Sequence, residues 1–186
     1  MSTTNDVFFN IPCPYRIYLE PLQQPASEVL LQEKMPQVFQ LLSRIAQQET
    51  DVFTHINQLP KGDILTEYLS LQSKKVDLVL HQQLSLLPQE GLLCEGTHFG
   101  GSHLTFVAPK HFDLKQHIAG HVLIQQHLVA VYCFIEPLEI ISLGDTYEIK
   151  AEIIEIADSD REILIKASLQ QQYRLLYEKK KAKLSN

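Results

Sequence analysis

The chain has 186 residues and a mass of 21.3 kDa, with 45% hydrophobic residues, a formal net charge of −6 and a pI near 5.7. That length buries one good core and fits a single domain, and the acidic balance argues against a nucleic-acid polymer as partner, because neutralising phosphates needs a concentrated basic face. Three cysteines, Cys13, Cys94 and Cys133, form no short-range pair and read as reduced, buried thiols. The first ten residues carry Asp6 and no Lys or Arg, unlike a signal peptide, and no segment reaches the ~18 apolar residues of a membrane span. The expectation is a cytoplasmic chain without membrane insertion.

Residues 15–20, Tyr-Arg-Ile-Tyr-Leu-Glu, alternate between Pro14 and Pro21 and predict a short edge strand. From Ser27 to Asn57 the period becomes helical, with Leu30, Leu31, Val38, Leu41, Leu42, Ile45 and Phe53 three, four or seven apart; Pro36 inside this run either kinks the helix or starts a new one. Leu59-Pro-Lys-Gly62 is a break. Asp63 is placed to cap a helix from Ile64 to Leu87, which Pro88 stops.

That second helix is apolar on two sides. Leu65, Leu69, Val76, Leu80 and Leu87 form one stripe, and Ile64, Tyr68, Leu71 and Leu78 form another. A surface helix needs only one such stripe, so the second must meet a partner: the chain's own helix 27–57, or another copy in a homo-oligomer. Gln72, Gln83 and Lys74-Lys75 interrupt a clean heptad, although a polar residue in a coiled-coil seam can fix register and chain number.

After Pro88 the period falls to about two. Predicted strands are 91–95, 102–107, 121–128, 129–136 and 146–156, with turns at Gly100-Gly101, Ala119-Gly120 and Leu143-Gly144-Asp145; Glu136-Pro137 ends the fourth strand. Helical spacing returns from Asp158 to Lys183, with Ile165, Leu169 and Leu176 on one stripe and Lys179, Lys180, Lys181 and Lys183 at the end, where cations suit the helix dipole.

Six of the eight histidines lie between His98 and His127. His117 and His121 are four apart but straddle Gly120 at the start of a predicted strand, and Ile-Ala-Gly between them lacks the glutamate of a zinc hydrolase helix, so no metal site is expected. Neither a nucleophile elbow nor a phosphate-binding glycine loop is present. Nothing supports an enzyme, and no cofactor is implied.

One motif carries chemistry. Glu95-Gly-Thr97-His-Phe-Gly100-Gly101 lies between strand-like runs, with Leu104-Thr-Phe106 downstream and Gly120 opening Val122-Leu-Ile124. It resembles the Asp/Asn-x-Ser-x-x-Gly motif of the PilZ domain, a small β-barrel that reads cyclic di-GMP. Leu69-x-Leu71-x-x-Lys74-Lys75-Val76-Asp77-Leu78-Val79-Leu80 before the barrel, with Asp160-Arg161-Glu162 and Gln170-Gln171-Gln172 after it, looks like the atypical tetrameric subgroup, in which two helices are inserted after the first strand. The resemblance implies an α+β fold: a PilZ-like antiparallel barrel (first strand 15–20, the rest 90–156), an inserted two-helix segment (27–87) and a C-terminal helix (158–183). It also implies a non-enzymatic signalling adaptor, tetrameric, acting on motility, pilus or secretion machinery.

Arg16, Glu95, Thr97 and Gly100 are the ligand contacts that the resemblance implies. A paired-arginine motif with two guanidinium forks would hold guanine or phosphate bidentately. Here Arg16 is the only Lys or Arg among the first 33 residues, and four positions on stands Glu20. The nucleotide site is therefore expected to be weakened or lost. The alternative for these residues is structural: Arg16 laid along a strand, Glu95 and Thr97 in a turn, Gly100-Gly101 a hairpin needing positive φ, and the whole chain a homo-oligomeric scaffold without a nucleotide.

Overall fold

The computed structural model describes residues 10–86 and 90–184, with the backbone alone at 46, 50, 183 and 184. Six strands, β1 (Ile11–Pro21), β2 (Leu92–Phe99), β3 (His103–Ala108), β4 (Ile118–Ile124), β5 (Val129–Ser142) and β6 (Tyr147–Ile156), close into an antiparallel barrel in the order β1-β2-β3-β6-β5-β4. Three helices, α1 (Glu28–Lys34), α2 (Gln37–Ile56) and α3 (Gly62–Leu86), lie between β1 and β2, and α4 (Asp158–Leu184) follows the barrel. The fold is α+β, a barrel with an inserted helical segment and a C-terminal helix.

Strand β1 places Ile11, Cys13, Tyr15, Ile17 and Leu19 inside the barrel and the alternate residues outside. It is longer than residues 15–20 and is not an edge strand, since it pairs with β2 on one side and β4 on the other. Strand β4 is buried at every position. Ile118, Val122 and Ile124 face the barrel interior, while Ala119 and Leu123 join Tyr132 and Phe134 of β5 in a second core against Leu30, Leu31, Met35, Phe39 and Leu84 of the helices. A strand covered on both faces reads as a continuous apolar run. Within it Gly120 marks no turn: a Cβ there would meet Ile17 Cδ1 at 3.3 Å.

Pro36 does divide the first helical run. Ser27 caps α1, its Oγ accepting from the Leu30 amide at 3.2 Å, and Pro36 then opens α2. The insertion therefore holds three helices where two were expected. Helix α3 starts at Gly62, which puts Asp63 in the first turn and not at the cap.

Other boundaries shift for local reasons. Strand β2 runs through to Phe99, so Glu95 and Thr97 are strand residues and not turn residues. The hairpin at Gly100-Gly101 forms as expected but uses no positive φ; among glycines that conformation belongs to Gly91 and Gly144. Space decides Gly101, where a Cβ would stand 2.5 Å from Ile165 Cγ1 of α4. Arg161 of α4 donates from Nη1 to the Gly101 carbonyl at 2.9 Å. Strand β5 does not end at Glu136-Pro137 but continues to Ser142, with a register shift between Pro137 and Glu139 that absorbs the missing amide.

Two positions test this packing. A Cβ on Gly96 would collide with the Tyr15 ring, so Gly96→Ala is expected to lower stability by about 1–3 kcal/mol, read as a lower urea midpoint. Asp160 of α4 is 2% exposed and accepts from Ser43 Oγ of α2 at 2.6 Å. Burial pushes its carboxyl up to about 6, against the Ser43 hydrogen bond, which lowers it. Between about pH 4 and pH 6 the folded chain holds a proton that the unfolded chain has released, so this group's contribution to stability falls as pH rises through that window. Asp160→Asn is expected to be more stable than the natural chain at pH 7.5 by about 2–3 kcal/mol, with little gain at pH 4.

Candidate ligand cavity

The N-terminal half of β1 opens a gap in the barrel wall. Pro12 and Pro14 cannot donate to a neighbouring strand, and the pairing of β1 with β2 shifts register between Pro12 and Tyr15. Beside this irregularity lies a cavity of about 860 Å³ lined by Pro12, Cys13, Pro14, Tyr15, Arg16, His81, Ser85, Glu95, Gly96, Thr97, Val107, Leu123, Gln125 and Gln126. That volume lies in the range, about 300–1,000 Å³, of small-molecule sites.

Arg16, Glu95 and Thr97 come together here. Arg16 and Glu95 are cross-strand partners, both exposed, and among the described residues neither makes an ion pair. Thr97 Oγ1 donates to the Thr105 carbonyl at 3.3 Å, and the Tyr15 hydroxyl donates to the same oxygen at 3.0 Å. Gly100 lies outside the lining, in the hairpin, where its amide donates to the His103 carbonyl at 2.9 Å. Glu20 also lies outside the lining, close enough to His121 and Tyr132 for its charge to act on both.

Sequence reasoning missed the wall contributed by α3. His81 and Ser85 are one turn apart and so share a helix face. His81 is 4% exposed, and its Nε2 lies 3.3 Å from the Val129 carbonyl. Burial holds its pKa below the ordinary histidine value, the carbonyl opposes that, and the nearby Arg16 charge adds to it. His81 and Ser85 stand among many other polar residues of α3, such as Gln72, Lys74, Lys75 and Gln83, so no pattern in the sequence singled them out. At the far rim Gln171 of α4 donates to the Pro12 carbonyl at 3.0 Å and accepts from Gln126 at 2.7 Å, tying α4 to the cavity edge.

The other histidines have separate structural settings. His117 accepts from the Ala26 amide through Nδ1 at 2.7 Å and places Nε2 3.3 Å from Glu136. His121 lies in an aromatic cluster with Phe39 and Tyr132, and burial lowers its pKa. Among the described residues no three His, Cys, Asp or Glu side chains come together as metal ligands.

Of the oligomerisation residues, Leu65, Val76 and Leu80 are exposed on α3 and Leu69 is half-buried, while Leu87 lies outside the described residues. Ile64, Tyr68, Leu71 and Leu78 are exposed as well. Helix α2 meets α3 through Ser73 Oγ to Glu49 Oε1 at 2.7 Å and Thr66 Oγ1 to Asn57 Oδ1 at 2.8 Å, and itself exposes Leu41, Ile45 and Val52. Among the described residues no helix is long and apolar enough to cross a membrane.

A structure of a tetrameric PilZ domain from Xanthomonas campestris, self-assembled through a helical bundle, superposes on this chain with a TM-score of 0.51, covering 91% of this chain and 90% of that one at 10% identity. The chain has a PilZ-like fold. The inhibitor of motility from Bacillus subtilis also matches, with a TM-score of 0.41 and 12% identity over 45% of this chain and 43% of that one. No family model matches the sequence, and no curated protein matches it.

The thiols of this PilZ-like barrel are expected to be inert. Burial pushes Cys94 up to about 11 and Cys133 up to about 12, and it raises Cys13 despite the opposing charge of Arg174. A bulky thiol reagent at pH 8 should modify none of the three in the native chain and all of them in denaturant. Rapid native modification of Cys13 would show that the cavity opens to the reagent.

Proposed function

We propose that the chain is a non-catalytic, cytoplasmic signalling adaptor of the PilZ type. It works as a homo-oligomer built through its α2–α3 hairpin and reaches its targets through protein contacts. The observation that carries this reading is the burial of α3: of its 25 residues only Gly62, His81 and Leu84 are buried, while apolar side chains stand exposed along its length. Exposed apolar surface on that scale calls for a partner. A second copy of the same hairpin presents matching surface, and the Xanthomonas structure, described as self-assembled through a helical bundle, supports a tetramer. The whole chain acts as one domain in this reading, and its targets belong to the motility, pilus or secretion machinery that PilZ-type adaptors serve.

The nucleotide site is weakened. A dianionic ligand entering the cavity meets one permanent cation, Arg16, and beside it the Glu95 carboxylate. The second reading, a homo-oligomeric scaffold with no nucleotide, draws support from Gly100, which lies outside the cavity lining.

Light scattering is expected to give a mass that is a multiple of the 21.3 kDa chain. The double variant L69E/V76E should fall toward one chain while keeping its far-UV circular dichroism. A single-chain mass for the natural protein across a wide concentration range would sink the assembly proposal. Cyclic di-GMP at pH 7.5 should show no saturable low-micromolar binding; such binding would overturn the weakened site.

A further inference from the structure

The cavity joins the barrel to the helical insertion. Its barrel side carries Arg16 and Glu95, and its other wall is the face of α3 that holds His81 and Ser85. His81 is buried against the barrel, with Nε2 at 3.3 Å from the Val129 carbonyl oxygen. A carbonyl only accepts, so Nε2 carries the ring proton and Nδ1 is left with the lone pair. Protonation at Nδ1 therefore costs no existing bond to Val129 and adds a second donor.

We propose that Arg16 and His81 clamp the phosphate of a nucleotide between barrel and helix, with His81 taking up a proton as the ligand binds. This rests on the reading of the cavity as a nucleotide site and names the cation that a single arginine lacks. An anion beside an imidazole favours its charged form, whereas burial and Arg16 disfavour that form in the empty cavity. The titratable groups lining the cavity are Arg16, Cys13 and Tyr15 from β1, Glu95 from β2 and His81 from α3; the end of β4 contributes Leu123 and the 3-10 turn after it Gln125 and Gln126, none of them titratable. Cys13 and Tyr15 stay protonated through burial. Glu95 is an acceptor for the N–H groups of a base or the hydroxyls of a sugar, which directs the phosphate away from it and toward α3. Binding by this clamp strengthens as pH falls, by up to about tenfold per unit until the imidazole is fully charged. Because the ligand touches α3, assembly through that helix and occupancy of the cavity influence each other reciprocally.

Calorimetric titration of the full chain with cyclic di-GMP at about pH 5.5 and about pH 7.5 tests the clamp, since a phosphodiester does not itself titrate between these values. Binding is expected to be about tenfold or more tighter at the lower pH, with uptake of about one proton read from the heats in two buffers of different ionisation enthalpy. His81→Gln should bind with little dependence on pH, and Arg16→Ala should lose binding at both. Equal affinity at the two pH values, or pH dependence retained in H81Q, overturns the clamp and leaves a nucleotide site. Absence of binding at both pH values removes the clamp and the site together, while the assembly reading still stands or falls on the measured mass. Should H81Q fail to fold, the His81 imidazole resonance of the natural chain decides, and a pKa that does not rise on adding cyclic di-GMP overturns the proposal.

Discussion

The architecture hangs on β1 pairing with both β2 and β4. Between Pro21 and Leu92 the chain leaves the barrel, builds three helices and returns to the strand beside the one it left. Neighbouring strands lie about 4.8 Å apart, so an insertion at this point must end close to where it began. An outward helix therefore needs a returning one, which is the relation of α2 to α3. Residues at the base of the hairpin, Phe39 near the start of α2 and Leu84 near the end of α3, pack on the barrel in the second core.

The seams between helices and barrel differ from the barrel interior in kind. Inside, Ile17, Phe99, Leu104, Phe106, Ile118 and Ile149 make an apolar core. Where helices meet the barrel or one another, titratable groups sit in the contact: His121 of β4 between Phe39 of α2 and Tyr132 of β5, His81 of α3 against Val129 of β5, and Asp160 of α4 against Ser43 of α2. Burial favours the neutral form of all three. Docking of the helices is thus sensitive to protonation, whereas the titratable groups of the barrel interior, Cys13, Tyr15, Cys94 and Cys133, are all held in their neutral form by burial.

Elements were legible in the sequence where one face meets water. Strand β6 and helix α4 lie within a residue or so of their predicted bounds, but the face that α4 buries is Asp160, Leu164, Ala167, Ser168 and Gln171, and the predicted stripe of Ile165, Leu169 and Leu176 is exposed. Strand β4 was placed too late because covering both faces erases the alternation, leaving Ala119-Gly120 to look like a turn. Glu95 and Thr97 read as turn residues because a glycine sits between them, and only the Tyr15 ring lying over Gly96 explains that glycine. The same limit governs the cavity. Its barrel side was visible as a motif, but His81 and Ser85 come from a helix whose periodicity shows which residues share a face and says nothing of what that face meets.

Closure of the sheet has a further consequence. In the order β1-β2-β3-β6-β5-β4 every strand has a neighbour on each side, but pairing does not run the full length of each: Ile11–Tyr15 of β1 have no partner in β4, and Glu136–Ser142 of β5 pair with β6 alone. Among the described residues, recruitment by β-augmentation, in which a partner's extended peptide adds itself as another strand, is confined to those short stretches. Elsewhere the barrel meets its surroundings through side chains alone, which leaves surface composition free to diverge while the hydrogen-bonded frame stays fixed.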